Sequence, residues 1–323
     1  MRILFAGNPK IALPSLAAAA SLEDAGIELA CVLTSPDRPG RRGGNAEPSA
    51  VSAAASILSE TRRRRGLPPI PQCKPERLDP AAQAAVAEAA PDLLVSFAYG
   101  RIFSAGFLGR FPLGGINIHP SLLPRYRGAA PIPAAILHGD KETGVTIQAL
   151  APGLDAGDIL AQEKIPLNRR ETAASLSGIA GEKAAALLSR TLLHIRDTGL
   201  LRGVPQRGDA SYCSCIRKED GVVDWSSPAL AIDAKIRAFT PWPLSWTYHK
   251  GRRLFVLEAS PAGGGGAAAA PGAVLGVDAA RGILVQTGGG VLGLTRLQYQ
   301  AKKALDFRPF LNGARDILGA ALG

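Results

Sequence analysis

The feature that most constrains this chain is an alternation, over its first 140 residues, between short apolar runs and Ala-rich stretches that favour helix. The apolar runs lie at residues 2–6, 27–33, 92–98 and 115–118, and each gives way to a polar or glycine-containing turn. The helix-favouring stretches lie at about 11–22, 47–64, 79–90 and 131–138. Runs without polar alternation suit strands buried on both faces. Strands alternating with helices imply βαβ units and a mostly parallel, Rossmann-like sheet. Ligands of such sheets bind beyond the carboxyl ends of the strands. Those ends carry Gly7-Asn8, Thr34 to Arg42, Ala98-Tyr99-Gly100 and Asn117 to Arg127.

Two more strands are expected at 145–150 and 159–165, joined by the Gly-rich loop Ala151 to Asp158, and a long helix at about 171–197. The texture changes near residue 205. Strand-like runs at 244–248, 254–258, 273–277, 283–287 and 291–297 follow one helix at about 227–239 and are separated by Gly-rich turns. The 323 residues therefore divide into an α/β domain at 1–204 and a smaller β-barrel, OB-like domain at 205–323. The low-complexity tract at 263–270 reads as a flexible loop of the second domain.

The net charge is +10, and 14 basic against 9 acidic residues lie from Val204 onward, so the second domain is the more basic per residue. That balance suits a polyanionic partner without requiring one. No apolar run reaches the ~18 residues of a membrane span, so no membrane partner is expected. Cys31 and Cys73 are isolated, and Cys213-x-Cys215 has no second pair to complete a zinc site. Reduced thiols, no metal and a cytoplasmic location are the expectation.

The nucleotide-binding signatures are missing. Gly7 stands alone where a dinucleotide fingerprint needs three glycines, and neither a P-loop nor a G-x-S-x-G elbow occurs. Polar candidates gather instead in Ile116-Asn117-Ile118-His119-Pro120-Ser121-Leu122-Leu123-Pro124-Arg125-Tyr126-Arg127-Gly128. Asn117 and His119 are two apart on a strand, so their side chains share a face. A second candidate is Asp155, set between Gly153 and Gly157 in a loop that can turn sharply. Taken alone it is a turn aspartate. It becomes functional only where it meets His119. The run Arg62 to Arg65 reads as a solvated face.

These residues carry a resemblance. I-N-I-H-P-S-L-L-P-R-Y-R-G-A-A-P-I, then H-G-D-K-E-T-G-V-T-I-Q and G-L-D-A-G-D-I-L, resemble the formyltransferases that use 10-formyltetrahydrofolate. M-R-I-L-F-A-G-N-P, T-S-P-D-R-P-G-R-R-G, V-S-F-A-Y-G, I-R-A-F-T-P-W-P, D-G-V-V-D-W-S and L-Q-Y-Q-A-K-K extend the likeness along nearly the whole chain. The R-G-A-A-P-I extension and the second domain are similar to the branch that acts on methionyl-tRNA.

The resemblance implies a cytoplasmic, monomeric enzyme that moves a formyl group from 10-formyltetrahydrofolate to the amino group of initiator methionyl-tRNA. It implies Asn117, His119 and Asp155 as the catalytic trio, Ser121, Leu122, Leu123 and Pro124 as the folate-lining segment, and Arg42 as a contact to the tRNA acceptor end. This chain departs from the usual pattern at Asn8-Pro9-Lys10 and at Gly44-Asn45, where lysines usually follow the loop arginine.

The chemistry agrees. Attack of a neutral amine on a formyl carbon builds an oxyanion that needs donors, and the amine must shed a proton to a local base. Asn117 and a protonated His119 are the expected donors. A nearby Asp155 is expected to accept the proton and to raise the His119 pKa. Two other readings use the same residues differently: a formyltransferase of this fold acting on glycinamide ribonucleotide or an amino sugar, and a non-catalytic RNA-binding protein. The second has no need of the three polar residues together.

Overall fold

The computed structural model describes residues 1–40, 46–263 and 269–323. Arg41, Arg42 and the glycine-rich stretch 264–268 lie outside the described residues, so the expectations placed on them are neither met nor contradicted.

The expected strands form. β1 (Arg2–Gly7), β2 (Glu28–Leu33), β4 (Leu93–Phe97) and β5 (Gly115–His119) come from the four apolar runs. Each is buried almost throughout, as strands covered on both faces must be. A two-residue strand β3 (Gln72–Cys73) joins them; it is too short to leave any periodicity in the sequence. β6 (Glu142–Ala149) and β7 (Ile159–Pro166) complete a seven-stranded sheet in the order β3-β2-β1-β4-β5-β6-β7. The pairs from β3 to β5 are parallel, and β5-β6 and β6-β7 are antiparallel.

Helices α1 (Leu13–Ala20), α2 (Ala50–Arg64), α3 (Pro80–Glu88) and α4 (Ala105–Leu108) fill the connections. Their starts are written locally. The side chains of Ser49, Asp79 and Ser104 accept the N–H groups of Ser52, Ala82 and Phe107, capping α2, α3 and α4. The arginines that end α2 take local carboxylates: Arg62 pairs with Glu23, and Arg63 and Arg64 with Glu60. Leu4, Leu33, Leu94, Tyr99, Phe107 and Phe111 form a core on one face of the sheet.

At the carboxyl ends, Asn8 ties three strands together. Its Nδ2 donates to the Tyr99 carbonyl at 2.6 Å and to Ser35 Oγ at 3.1 Å, and its Oδ1 accepts the Ser35 N–H at 2.8 Å. Asn8 therefore braces the rim of the sheet.

The chain packs as two compact units. One holds 1–128, 142–166 and 177–212, and the other holds 129–141, 167–176 and 213–323. In the second unit, α5 (Pro131–Leu137) lies against α7 (Ala229–Ala238). The long helix α6 (Ala173–Thr198) lies between them in sequence. The expected strands form as β8 (Ser245–His249), β9 (Arg252–Pro261), β10 (Val274–Asp278), β11 (Gly282–Gln286) and β12 (Val291–Tyr299), and their pairing is antiparallel. They pair in the order β8-β9-β12-β11-β10, and β13 (Leu305–Asp306) adds to β12. Their inward faces pack Leu254, Val256, Ile283, Val285 and Leu294 around Trp225. Among the described residues no helix is long and apolar enough to cross a membrane.

Candidate active site

β5 delivers the first two polar candidates. Asn117 is half-buried, and His119, the last residue of the strand, is 4% exposed. Across the β5-β6 ladder, Asn117 stands opposite Gln148 and His119 opposite Thr146. Directly opposed residues share a face, so one patch of sheet surface carries four polar side chains at the carboxyl end of β5.

The loop after β6 brings Asp155 onto this patch. Asp155 has φ +47°, a left-handed conformation that aspartate tolerates better than most residues. Two residues on, Gly157 passes so close to β6 that a Cβ there would lie 1.8 Å from the Ala149 carbonyl oxygen. The close approach seats the loop on the strand, and the Ala149 N–H donates to the Asp158 carbonyl at 2.9 Å. The Asp155 carboxylate is thereby turned inward. Its Oδ1 accepts from Gln148 Nε2 at 2.9 Å and from Asn117 Nδ2 at 3.5 Å. Its Oδ2 accepts the Gly128 backbone N–H at 2.8 Å and lies 3.6 Å from His119 Nδ1. Asn117, His119 and Asp155, 38 positions apart in sequence at their widest, thus form one cluster.

His119 departs from the expected charge state. Burial pulls its pKa below the ordinary imidazole range; Asp155 and the Tyr126 carbonyl pull the other way and do not overcome it. The imidazolium expected in the resting protein is therefore a neutral ring. The tautomer follows from its partners: Nε2 lies 2.8 Å from the Tyr126 carbonyl oxygen, which can only accept, so Nε2 carries the hydrogen. Nδ1 then turns its lone pair toward Asp155.

The four residues after Pro120 separate into two kinds. Ser121 is fully buried, and its hydroxyl donates to the Arg125 carbonyl at 2.6 Å. Leu123 is 4% exposed, with its N–H on Thr146 Oγ1 and its carbonyl accepting from Gln162 Nε2. Leu122 and Pro124 are half-buried. The Leu122 side chain lies over Gly144 of β6, where a Cβ would come within 2.4 Å of it.

Sequence reasoning missed Gln148 and Gln206. Gln148 is 2% exposed in β6, where Thr146 and Gln148 alternate with Val145 and Ile147, so strand periodicity puts the two polar residues on one face. Gln206 sits in a stretch that reads as an interdomain connection, and nothing local marks it. Its Nε2 donates to the carbonyls of Asp155 and Gly157, both at 2.8 Å.

The cluster lies at the carboxyl edge of a Rossmann-like sheet, the place where sheets of this kind bind their ligands. Residues 1–192 match the formyl transferase family and residues 215–315 match the formyl transferase C-terminal domain. The methionyl-tRNA formyltransferase of Treponema denticola is 44% identical to this chain over 98% of each. That of Thiobacillus denitrificans is 42% identical over 100% of each. The chain belongs to the formyl transferase family, in the branch of the methionyl-tRNA formyltransferases. The crystal structure of HypX from Aquifex aeolicus in complex with tetrahydrofolic acid shares the fold at a TM-score of 0.62 and 19% identity. The similarity covers 96% of this chain, which spans about half of HypX, 47% of its length.

Proposed function

We propose that this protein transfers the formyl group of 10-formyltetrahydrofolate to the α-amino group of initiator methionyl-tRNA. The observation that carries the reading is the convergence of Asn117, His119 and Asp155 on one buried cluster at the end of β5. The near full-length relatives named for this reaction, and the tetrahydrofolic acid bound by HypX, support it.

Each residue has a part that its contacts suit. The Asn117 amide nitrogen has two hydrogens; one points to Asp155, and the other is the donor for the oxyanion that grows on the formyl oxygen. The His119–Asp155 pair takes the proton that the amine sheds as it attacks the formyl carbon. Nδ1, neutral at rest and facing the carboxylate, is where that proton is held. The imidazolium so formed donates to Asp155 and to Tyr126, and its charge lies beside the oxyanion. The pair returns the proton to the folate nitrogen as its bond to the formyl carbon breaks. The two residues act as one proton-binding unit, and their apparent pKa values belong to the pair.

For the folate, Leu122 and Pro124 are the half-buried apolar residues of the segment, and Leu122 is the one assigned to the ring. It supplies an aliphatic wall to a flat ring system, while Ser121 and Leu123 hold the segment in place. The tRNA is assigned to the basic residues of 205–323 and to Arg42, with catalysis in 1–204. The functional test is an assay of labelled formyl transfer to methionyl-tRNA by the purified chain. Formylation of methionyl-tRNA, with release of tetrahydrofolate that depends on it, is expected. Release that depends instead on an amino sugar or glycinamide ribonucleotide would reassign the acceptor.

A further inference from the structure

The backbone of the Asp155 loop takes two hydrogen bonds from one side chain, that of Gln206. Gln206 Nε2 donates to the Asp155 and Gly157 carbonyls, both at 2.8 Å, and has a longer contact of 3.4 Å to Gln148 Oε1. Its Oε1 accepts from Arg127 twice, from Nη2 at 2.7 Å and from Nε at 3.1 Å. A guanidinium fork on the amide oxygen polarises the amide and strengthens the N–H donors opposite. Gln206 is itself fixed, because Val204 two residues earlier exchanges both backbone hydrogen bonds with Ile159 at 2.8 and 2.9 Å. Arg127 also precedes Gly128, whose N–H holds the Asp155 carboxylate. The clamp therefore joins the segment that touches the carboxylate to the backbone that carries it.

The loop needs such a clamp. A left-handed backbone at Asp155 is not one that a non-glycine residue adopts freely, so its position depends on what surrounds it. A carboxylate 3.6 Å from the imidazole exerts its effect only while it stays there. We infer that Gln206 is a positioning residue for the reaction, setting through the backbone of the Asp155 loop where the catalytic carboxylate stands relative to His119. The inference rests on the catalytic reading of Asp155 given above.

Two variants of the full chain test it. Gln206→Glu keeps the length and the Arg127 partner but offers the two carbonyls no N–H. Gln206→Met keeps the length and removes both contacts. Each is expected to lower kcat for formylation by about 10- to 100-fold, with KM for tRNA and for the folate donor within about twofold of wild type. An unchanged kcat in either folded variant overturns the inference.

A second readout does not depend on turnover. Among the described residues, His119 meets Asp155 of the loop and the Tyr126 carbonyl and stands opposite Thr146 of β6, and of these only Asp155 is charged. An NMR titration of His119, its resonance assigned with a His119→Asn variant, should show a lower midpoint in Gln206→Met than in wild type as the carboxylate drifts away. An unmoved midpoint overturns the inference even in an active enzyme. A shifted midpoint in a protein that does not formylate methionyl-tRNA would sustain the clamp and overturn the functional reading instead.

Discussion

Asp155 Oδ2 stands 3.6 Å from His119 Nδ1 while it accepts the Gly128 N–H at 2.8 Å, so the carboxylate faces the imidazole without a short hydrogen bond to it. That separation matches a site that is ready to receive a proton. With the ring neutral, a lone pair and a carboxylate face one another; once a proton arrives, the two are drawn together. Burial, which keeps the ring neutral at rest, also strengthens the attraction that follows.

The first prediction concerns the cluster as a unit. Asn117→Ala, His119→Ala and Asp155→Ala should each lower kcat about 10²-fold or more in proteins whose circular dichroism is unchanged. Pairs of these substitutions should lose less than the product of the single losses, because the residues share one step. Steady-state formylation assays measure both effects. Near-normal turnover in His119→Ala would remove the assignment.

The second concerns pH and stability. The folded-state pKa of His119 is lowered relative to an unfolded chain, so below the ordinary imidazole range the unfolded state binds the extra proton. The contribution of the neutral ring is therefore fully present above that range and is lost as pH falls through the folded-state pKa. Urea unfolding of wild type and His119→Asn at pH 7.5 and 5.5 isolates this contribution. Wild type should lose more stability between the two than the variant does, and equal losses would contradict the neutral resting state.

The site was only partly legible in the sequence, and the reason is geometric. Asn117 and His119 are two apart on a recognisable strand, so their shared face follows from strand periodicity alone. Asp155 needed the motif resemblance, because nothing local distinguishes it from a turn residue. Its approach to His119 depends on the antiparallel β5-β6 pairing and on the loop folding back over Ala149. The charge state of His119 went the other way from expectation because proximity to a carboxylate is visible in a motif and burial is not. Gln206 was out of reach altogether: its partners Arg127 and Asp155 are 79 and 51 positions away, and only the fold brings them together. β1, β2 and β4 were readable because they are nearly unbroken apolar runs, whereas β3 offers only two residues.

The folate segment supplies a third prediction. Leu122→Asp puts an unpaired charge on the half-exposed wall and should weaken binding of the folate donor about 10-fold or more, with the protein still folded. Leu123→Asp puts the charge in a buried position and should lower the unfolding midpoint sharply instead. Affinity by isothermal titration and stability by thermal melting separate the two. Folate affinity unaffected by Leu122→Asp would move the pocket elsewhere.

Electrostatics supplies the fourth. The net charge of +10 and the basic second domain should make tRNA binding fall steeply with salt, in proportion to the phosphates neutralised. Arg42→Ala should raise KM for methionyl-tRNA and leave folate binding unchanged. Measuring KM for each substrate from 50 to 300 mM salt, roughly the range over which such contacts are lost, checks this. A salt-insensitive KM for tRNA would count against an electrostatic interface.

The fifth returns to the loop that carries Asp155. Gly157 has no side chain where a Cβ would sit 1.8 Å from the Ala149 carbonyl oxygen, which belongs to β6 and cannot yield without disturbing the ladder to β5. Gly157→Ala must therefore lift the loop off the strand. The Gln206 contact to the Gly157 carbonyl would loosen, and Asp155 would move away from both Gln148 and His119. Misplacing a catalytic group by about an ångström costs rate far more than it costs substrate binding. We expect kcat to fall about 10-fold or more, KM for both substrates to stay within about threefold, and the fall to be smaller in an Asp155→Asn background, where the position of the loop no longer matters to the proton. A Gly157→Ala protein with wild-type kcat would show that the close approach to β6 does not set the carboxylate's place.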